Sequence, residues 1–220
     1  SMCVNYLPAS RYAIGEMFGI ADPEEDERLK PEVWQDYLAP IVVRPDGDPT
    51  YSAVASYGFI PQNRKPPGVT RLSTMNARAE TIGELRSYKR FWSACQLCLV
   101  PMTGFFEPNY ESGSAVRWRI GMADGSPFAV AGMWRTWERE DGGVDCSFTQ
   151  ITLNADDHPL LKRFHKPGDE KRTLAIIGPE DYDAWLTCRD PQLARTFLRQ
   201  FPAERMAAEA AAIMRKSSAR

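Results

Sequence analysis

The chain has 220 residues, of which 43% are hydrophobic and 11% aromatic, and its formal net charge at pH 7 is −2. This apolar content can bury the core of a single globular domain, and the charge excludes a protein that coats nucleic acid through a globally basic surface. No apolar run reaches the roughly 18 residues of a membrane span, and no signal-peptide pattern opens the chain. We therefore expect a cytoplasmic protein without a membrane partner.

The chain opens with a serine ahead of a methionine, Ser1 and Met2. We interpret Ser1 as a scar of tag removal, so that loss of Met2 would leave Cys3 as the N-terminus. An N-terminal cysteine carries a thiol and an α-amine on adjacent carbons. An aldehyde condenses with this pair through a Schiff base to a thiazolidine ring. The alternative is that Cys3 is a small buried residue that opens an edge strand.

The cysteines do not form a disulfide or metal pattern. Five are present, an odd and scattered set, which predicts reduced thiols. Cys95 and Cys98 form a C-x-x-C motif, but no second Cys or His pair at zinc-finger spacing accompanies them. We expect a buried strand at 95–100, and we expect neither a metal nor a cofactor.

The first third of the chain predicts short elements. A short helix is expected within 7–20, with Ser10 as its cap, followed by a charged surface loop over 22–30. Short strands follow within 33–43 and 50–59, where prolines punctuate the pattern. This stretch therefore favours a sheet with little helix.

The hexapeptide Asn-Ala-Arg-Ala-Glu-Thr at 76–81 lies between a strand-like run at 69–75 and a helical pattern at 80–92. Its polar side chains, next to the free N–H groups of a helix start, are suited to hold a phosphate or a sugar. The alternative is that Asn76 caps the helix and Arg78 belongs to a solvated first turn.

A local positive patch covers 62–92, where the sequence has seven Lys or Arg and only two acidic residues. Tyr57, Tyr88 and Trp92 are interleaved with these charges. Cations bind phosphates and aromatic faces stack on unpaired bases, so the patch is typical of a single-stranded nucleic-acid site. Solvated helices also have such a pattern, and that alternative stays open.

Strands dominate the middle of the chain. Alternating apolar residues predict a strand at 116–122, and a turn at Asp124-Gly125 predicts that it forms a hairpin with 127–134. Glu107 follows two phenylalanines at the end of an apolar run, where its charged form is disfavoured. It could therefore donate or accept protons near neutral pH, unless it is a surface residue at a strand end.

Both histidines of the chain, His158 and His165, follow a predicted strand at 146–153. His158 precedes a proline at a helix start, which is a structural position. His165 precedes a Lys-Pro-Gly turn, where its side chain can face a pocket.

The C-terminal third predicts a buried strand at 173–177 and helices at about 179–187, 190–200 and 203–216. The last is rich in alanine and amphipathic. We expect one domain over 2–220, with a C-terminal helix and frayed tail over 203–220.

Several of these motifs together resemble the SRAP (SOS response-associated peptidase) family, in a divergent bacterial or phage-like form. They are the cysteine after Met2, the hexapeptide at 76–81, the run Cys-Leu-Val-Pro-x-x-Gly-Phe-Phe-Glu at 98–107, and the late His165. Weaker similarities lie at 37–40 and 57–61. The resemblance implies an α+β domain built on a mixed, mostly antiparallel sheet or barrel-like core with peripheral helices, and a monomer.

The same resemblance implies a sensor and covalent trap for abasic sites in single-stranded DNA, with crosslinking or lyase-like activity at nucleoid DNA. Cys3 would supply the amine and the thiol, and Asn76 would hydrogen-bond the sugar. Glu107 and His165 would transfer protons. Autoproteolysis is left open as a second activity.

The implied DNA contacts are distributed along the chain. Arg78 would hold the phosphate beside the lesion, and Tyr57 and Pro40 would pack against flanking bases. Arg71 and Thr152 complete the expected DNA-binding set. Two alternative functions stay open, an N-terminal-cysteine thiol peptidase and a noncatalytic single-stranded DNA-binding module.

Overall fold

Extended chain dominates the fold, which we describe from a computed structural model over residues 3–211. The strands belong to one sheet. They are β1 (Tyr6–Pro8), β2 (Leu38–Val43), β3 (Tyr51–Tyr57), β4 (Asn76–Arg78), β5 (Leu97–Asn109), β6 (Val116–Met122), β7 (Phe128–Glu138), β8 (Val144–Asn154), β9 (Arg172–Leu174), β10 (Ile176–Ile177) and β11 (Met206–Ala210). The helices are short, namely α1 (Arg11–Phe18), α2 (Lys89–Ser93), α3 (Tyr182–Thr187) and α4 (Pro191–Arg195).

The central strands close into a barrel. β2 pairs with β3 and β5, β7 pairs with β5 and β8, and all four pairings are antiparallel. The parallel pairing of β3 with β8 completes the ring. The remaining strands extend this ring at its rims. The predicted fold class, a mixed and mostly antiparallel barrel-like core with peripheral helices, is confirmed.

Both faces of the barrel strands are buried. In β5, for example, successive residues belong in turn to two apolar clusters, one on each face. Leu97 and Leu99 pack in the cluster that contains Trp185 of α3, whose indole N–H donates to the Cys98 carbonyl at 2.8 Å. Cys98 and Val100 pack on the opposite face, which turns into the ring. This alternation follows from the period of two in a strand. The buried strand predicted at 95–100 is confirmed from Leu97 on, whereas Cys95 lies in the preceding turn with φ 51°. The cap of α1 is also confirmed, because Ser10 accepts a hydrogen bond from the Ala13 N–H.

The predicted hairpin between β6 and β7 is wrong. The turn at Asp124-Gly125 forms, with the Gly125 N–H bonded to the Met122 carbonyl at 3.0 Å. The two strands then pair with different halves of β5, β7 with Leu97–Met102 and β6 with Phe105–Asn109. A turn signal fixes only the local chain direction, whereas burial of both faces decides which strand is the neighbour.

Two helical predictions are also wrong. Turns occupy 79–88, and Asn76 starts β4 beside β8, so no helix N-terminus adjoins the hexapeptide and 69–75 forms no strand. The Ala79 N–H bonds the Thr152 carbonyl at 3.0 Å, which extends the pairing. In the C-terminal segment, a 3₁₀ turn and β11 replace the start of the helix predicted at 203–216. The open edge of β6 offers backbone partners that outweigh helix propensity. Residues 212–220 of the predicted helix and tail lie outside the described residues.

Candidate active site

Cys3 is fully buried just ahead of β1, and two side chains hold its backbone. Its carbonyl oxygen accepts hydrogen bonds from Asn76 Nδ2 at 2.9 Å and from Tyr57 Oη at 3.0 Å. The thiol donates to the Asn5 carbonyl at 3.1 Å. Asn76 starts β4 and Tyr57 ends β3, so one rim strand and one strand of the ring together fix the position of Cys3.

Glu107 and His165 form a second pair beside this cysteine. Glu107 lies in β5, whose neighbouring Phe106 N–H approaches the Asn5 carbonyl of the segment that follows Cys3. His165 Nε2 lies 3.5 Å from Glu107 Oε2. The backbone of His165 has φ 69°, a left-handed conformation that is uncommon for a residue other than glycine. Its N–H donates to the Pro108 carbonyl at 2.8 Å, which holds the strained residue against β5.

Burial keeps this pair uncharged. Desolvation raises the pKa of Glu107 well above its usual range and lowers the pKa of His165 below its usual range. An ion pair would shift both pKa values in the opposite directions, so desolvation outweighs the attraction between the two groups and favours the carboxylic acid and the neutral imidazole. Burial, together with the nearby Glu107, also raises the pKa of the Cys3 thiol.

Several buried polar atoms around Cys3 have no hydrogen-bond partner among the described residues. They are Asn76 Oδ1, Glu107 Oε1, Gln150 Nε2 and His165 Nε2. Buried polar groups are normally paired, so four unpaired atoms near one cysteine are available to a polar ligand. Asn76, Glu107 and His165 thus come together with Cys3 as the sequence predicted.

Gln150 belongs to this site and was missed. It is fully buried in β8, pairs in register with Asn76, and its Oε1 lies 3.1 Å from Tyr57 Oη. Because a hydroxyl carries one proton, Tyr57 donates either to Gln150 or to the Cys3 carbonyl. Gln150 lies on the same face of β8 as Cys146 and Phe148, and a polar residue that follows these two apolar ones on one face is a signal that could have identified it.

A network of arginines and glutamates begins two residues after Asn76, at Arg78. Arg78 is half exposed and contacts Glu170 at 2.8 Å. Arg172 is buried and contacts Glu80 at 2.7 Å and Glu170 at 3.1 Å. Hydrogen bonds from Arg78 and from Asn154 lower the pKa of Glu170 to about 2. Glu170 is therefore an anion held by two guanidinium groups.

Three of the residues expected to contact DNA have buried side chains in this structure. The Tyr57 ring stacks on Phe148 and meets Tyr6 edge-on, each at 5.3 Å between ring centroids, so it has no free face for a base. Thr152 is fully buried, and its hydroxyl accepts from Arg172 at 2.9 Å. Pro40 is buried in β2.

Arg78 and Arg71 are the exposed members of the expected DNA-binding set. Arg71 lies in the loop before β4 and makes no ion pair with another described residue. Tyr88 and Trp92, which the sequence placed in a base-stacking patch, are buried in the core. Charge therefore remains at this surface, but its predicted aromatic faces do not.

Within residues 3–211, no three His, Cys, Asp or Glu side chains lie together as ligands for a metal ion. No helix in this range has the length and apolar character to cross a bilayer.

Comparison with known proteins gives a consistent set of relatives. The profile of the SOS response associated peptidase (SRAP) family matches residues 2–213. The abasic site processing protein YobE of Bacillus subtilis (strain 168) is 25% identical over 166 residues, which cover 74% of this chain and 72% of that protein. The abasic site processing protein YoqW of the same bacterium is 26% identical over 137 residues, which cover 61% of this chain and 58% of that protein.

Solved structures share the fold over nearly the whole chain. A crystal structure of a protein from Bordetella bronchiseptica has a TM-score of 0.85 and 31% identity, covering 96% of this chain and 100% of that one. A protein from Bacteroides thetaiotaomicron has a TM-score of 0.76 and 24% identity, covering 94% of this chain and 91% of that one. The second likeness concerns the fold alone.

Proposed function

The chain belongs to the SOS response associated peptidase (SRAP) family, and from this premise we propose that it senses abasic sites in single-stranded DNA and traps them covalently on Cys3. The observation that carries the proposal is the convergence of Cys3, Asn76, Glu107 and His165 around unpaired buried polar atoms. The names of its relatives, abasic site processing proteins, support the substrate. We place the reaction in the cytoplasm, at nucleoid DNA, with the protein acting as a monomer.

The trap begins with the open aldehyde form of an abasic deoxyribose. The α-amine of a chain that starts at Cys3 adds to the aldehyde carbon, and loss of one water molecule gives a Schiff base. The Cys3 sulfur then adds to the same carbon and closes a thiazolidine ring, while the thiol proton ends on the ring nitrogen. One water is released for each adduct, and no oxidant or metal takes part.

Glu107 and His165 are suited to the proton transfers of this sequence. A neutral carboxylic acid at Glu107 can protonate the departing hydroxyl, and the resulting carboxylate can take the thiol proton. The neutral imidazole of His165, 3.5 Å away, can accept a proton from the sugar hydroxyl as the ring opens. Both groups act in a buried site, where bulk water does not compete for these protons.

Asn76 and Tyr57 position the nucleophiles. By holding the Cys3 carbonyl from two sides, they fix the Cα of Cys3 and hence the directions of its amine and thiol. The Asn76 Oδ1 atom, unpaired among the described residues, is free to accept a hydrogen bond from the sugar. Arg78 would bind the phosphate beside the lesion once Glu170 releases it.

A thiol peptidase is the principal rival. It requires a base that activates the thiol, but Cys3 donates to the Asn5 carbonyl, and no hydrogen bond joins it to His165 among the described residues. Burial also raises the pKa of this thiol, which disfavours the thiolate. These features favour attack by the amine first, followed by the thiol.

The proposal is tested by mixing protein that starts at Cys3 with a single-stranded oligonucleotide that contains one abasic site. We expect a one-to-one adduct, smaller by one water than the sum of the two masses, that survives a denaturing gel. Protein that retains Ser1 and Met2, and an undamaged strand, should give none. Cys3→Ala should abolish the adduct and retain noncovalent binding.

An equal yield of adduct from folded Cys3→Ala protein would refute the trap. Absence of an adduct from the folded protein that starts at Cys3 would also refute it. Hydrolysis of peptides by that protein, lost in Cys3→Ala, would instead establish the peptidase.

A further inference from the structure

A surface stack of alternating guanidinium groups and aromatic rings lies outside the site described above. Its order is Arg64, Trp137, Arg135, Phe91 and Arg90, and we call it the cation ladder. The Arg135 guanidinium carbon lies 3.6 Å from the centroid of the Trp137 ring and 4.5 Å from that of Phe91. Arg64 lies 5.6 Å from Trp137, and Arg90 lies 5.0 Å from Phe91. The three cations are therefore held in one row.

Arg135 is the exceptional member of the ladder. It makes neither an ion pair nor a side-chain hydrogen bond with any described residue, and its Nε is buried without a partner. Burial, and then the charge of Arg90, lowers the pKa of Arg135 to about 10. A partly buried guanidinium normally has an anion or acceptor beside it. Residues 3–211 supply no such partner, which indicates that an anion comes from another molecule.

Few acidic side chains lie beside the ladder to neutralise its positive charges. Arg64 has one acidic neighbour, Asp145 at 4.0 Å, and also donates to the Glu138 carbonyl. Arg90 forms no ion pair within the described part of the chain, nor do the exposed Arg86 and Lys89 that precede it. The net charge of the chain is −2, so this concentration of positive charge is local.

The ladder lies close to the candidate active site along the sheet. Arg135 pairs with Ser147 of β8, and three residues further along the same strand Gln150 pairs with Asn76. At about 3.3 Å per residue this separation is about 10 Å. Arg135 also contacts Phe59, two residues after Tyr57. Side chains alternate along a strand, so Arg135 lies on the outer face of the sheet with Met133, whereas Gln150 lies with Phe148 on the face inside the ring. A strand of nucleic acid that contacts both places therefore has to cross the barrel rim between them.

We propose that the cation ladder binds the backbone of the DNA strand that flanks the lesion, a second contact surface that rests on the proposed function. Arg90 and Arg135 donate no side-chain hydrogen bond to another described residue, so the exposed N–H groups of these two guanidinium groups can donate to phosphate oxygens. The ligand class is therefore a phosphodiester chain, rather than a single phosphate.

The experiment compares noncovalent binding of two undamaged single strands, one of about 4 and one of about 16 nucleotides, the limits of a typical site on one binding domain. Arg90→Gln with Arg135→Gln should weaken binding of the long strand about 10-fold and leave binding of the short one unchanged. For the long strand, the slope of log K against log salt should decrease in magnitude by about 1.4, since each lost phosphate contact contributes about 0.7.

Arg139→Gln is the matched control. Arg139 carries the same charge but is paired with Asp141 and Asp145, so its loss should change binding less than 2-fold. Arg90→Gln alone changes an exposed side chain and should give part of the loss in binding. This single variant replaces the double variant in the test if the double variant is destabilised. The oligonucleotides carry no lesion, so failure of covalent trapping leaves this result intact.

Equal binding of both strands by the wild type and the folded double variant would overturn the proposal. A loss with Arg139→Gln as large as that with Arg90→Gln would also overturn it, because the effect would then be general charge. Displacement of the long strand by polyglutamate at equal charge concentration would assign the ladder to an acidic protein instead.

Discussion

The imidazole Nε2 of His165 lies 3.5 Å from Oε2 of Glu107, and both side chains are at least 95% buried in the barrel rim. Two groups that would form an ion pair in water are here held in their neutral forms by desolvation. The arrangement therefore favours a proton on the carboxyl group and a free lone pair on the imidazole. Such a pair can deliver and receive protons in the same turnover.

The raised pKa of Glu107 predicts a specific dependence of stability on pH. The folded protein binds a proton on Glu107 more tightly than the unfolded chain, whose glutamate titrates at about 4.3. Stability from this group is therefore fully present below about pH 4.3 and is lost as pH rises toward the folded pKa. In Glu107→Gln the side chain does not titrate, so the stability of the variant does not fall with pH for this reason. We expect its Tm to match that of the wild type at pH 4 and to exceed it by several degrees at pH 8, at about 2–4 °C per kcal/mol.

The difference between the two melting temperatures isolates Glu107, because His165 titrates in both proteins. The lowered pKa of His165 has the opposite sign, since its stabilisation is lost as pH falls below about 6.5. A constant difference in Tm from pH 4 to pH 8 would show that Glu107 is charged in the folded protein.

Tyr57 should act on the reaction through Cys3. Tyr57→Phe keeps the ring between Phe148 and Tyr6 but removes the hydroxyl that bonds the Cys3 carbonyl. One hydrogen bond of about 0.5–1.5 kcal/mol corresponds to a rate of adduct formation about 2- to 10-fold lower, with unchanged affinity for undamaged strands. Single-turnover kinetics measure the rate. Tyr182→Phe, in the other cluster, is the control and should change neither quantity. An unchanged rate for Tyr57→Phe would remove its positioning role.

Glu170 should compete with DNA for Arg78. We expect Arg78→Ala to weaken binding of intact and abasic strands alike, and Glu170→Gln to strengthen binding severalfold because it frees Arg78. In protein that already carries Arg78→Ala, Glu170→Gln should give little further gain. Fluorescence anisotropy of the four proteins measures this coupling. An equal gain in DNA affinity from Glu170→Gln in both backgrounds would mean that the carboxylate acts only through long-range charge. Glu140→Gln, which removes an exposed carboxylate, gives the size of such a long-range effect.

The two histidines should separate stability from chemistry. His158 Nδ1 accepts from the N–H groups of Leu160 and Leu161, and its Nε2 lies 2.8 Å from the Phe201 carbonyl. His158→Phe removes the partner of these groups, of which the Leu161 N–H is buried and costs about 1–3 kcal/mol when unpaired. Its Tm should therefore fall by several degrees, while the adduct rate of the folded protein is kept.

His165→Asn provides the converse result. It should lower the adduct rate about 100-fold, the scale of a lost general acid or base, with a smaller change in Tm. Thermal melts beside single-turnover kinetics distinguish the two. A reversed pattern would exchange the roles of the two histidines.

Sequence patterns indicated which residues gather around Cys3 more accurately than they indicated the secondary structure and the contacts of those residues. Asn76 was predicted at a helix start, yet it starts β4 and donates to a carbonyl 73 positions away in sequence. Gln150 was missed because only the parallel pairing of β4 with β8 brings it beside Asn76. Tyr57 was expected to stack on a base, and burial gave it a partner inside the barrel.

The sequence by itself determined which chemistry is available and where most strands lie. Period-two alternation encodes burial on each face of β5 to β8, and the residue types at Cys3, Asn76, Glu107 and His165 are local facts. The tertiary structure decided which strands are neighbours, which arginines are compensated and which aromatic faces are buried. Those outcomes depend on closure of the barrel between residues distant in sequence, where desolvation and backbone pairing outweigh the local preferences that a sequence pattern records.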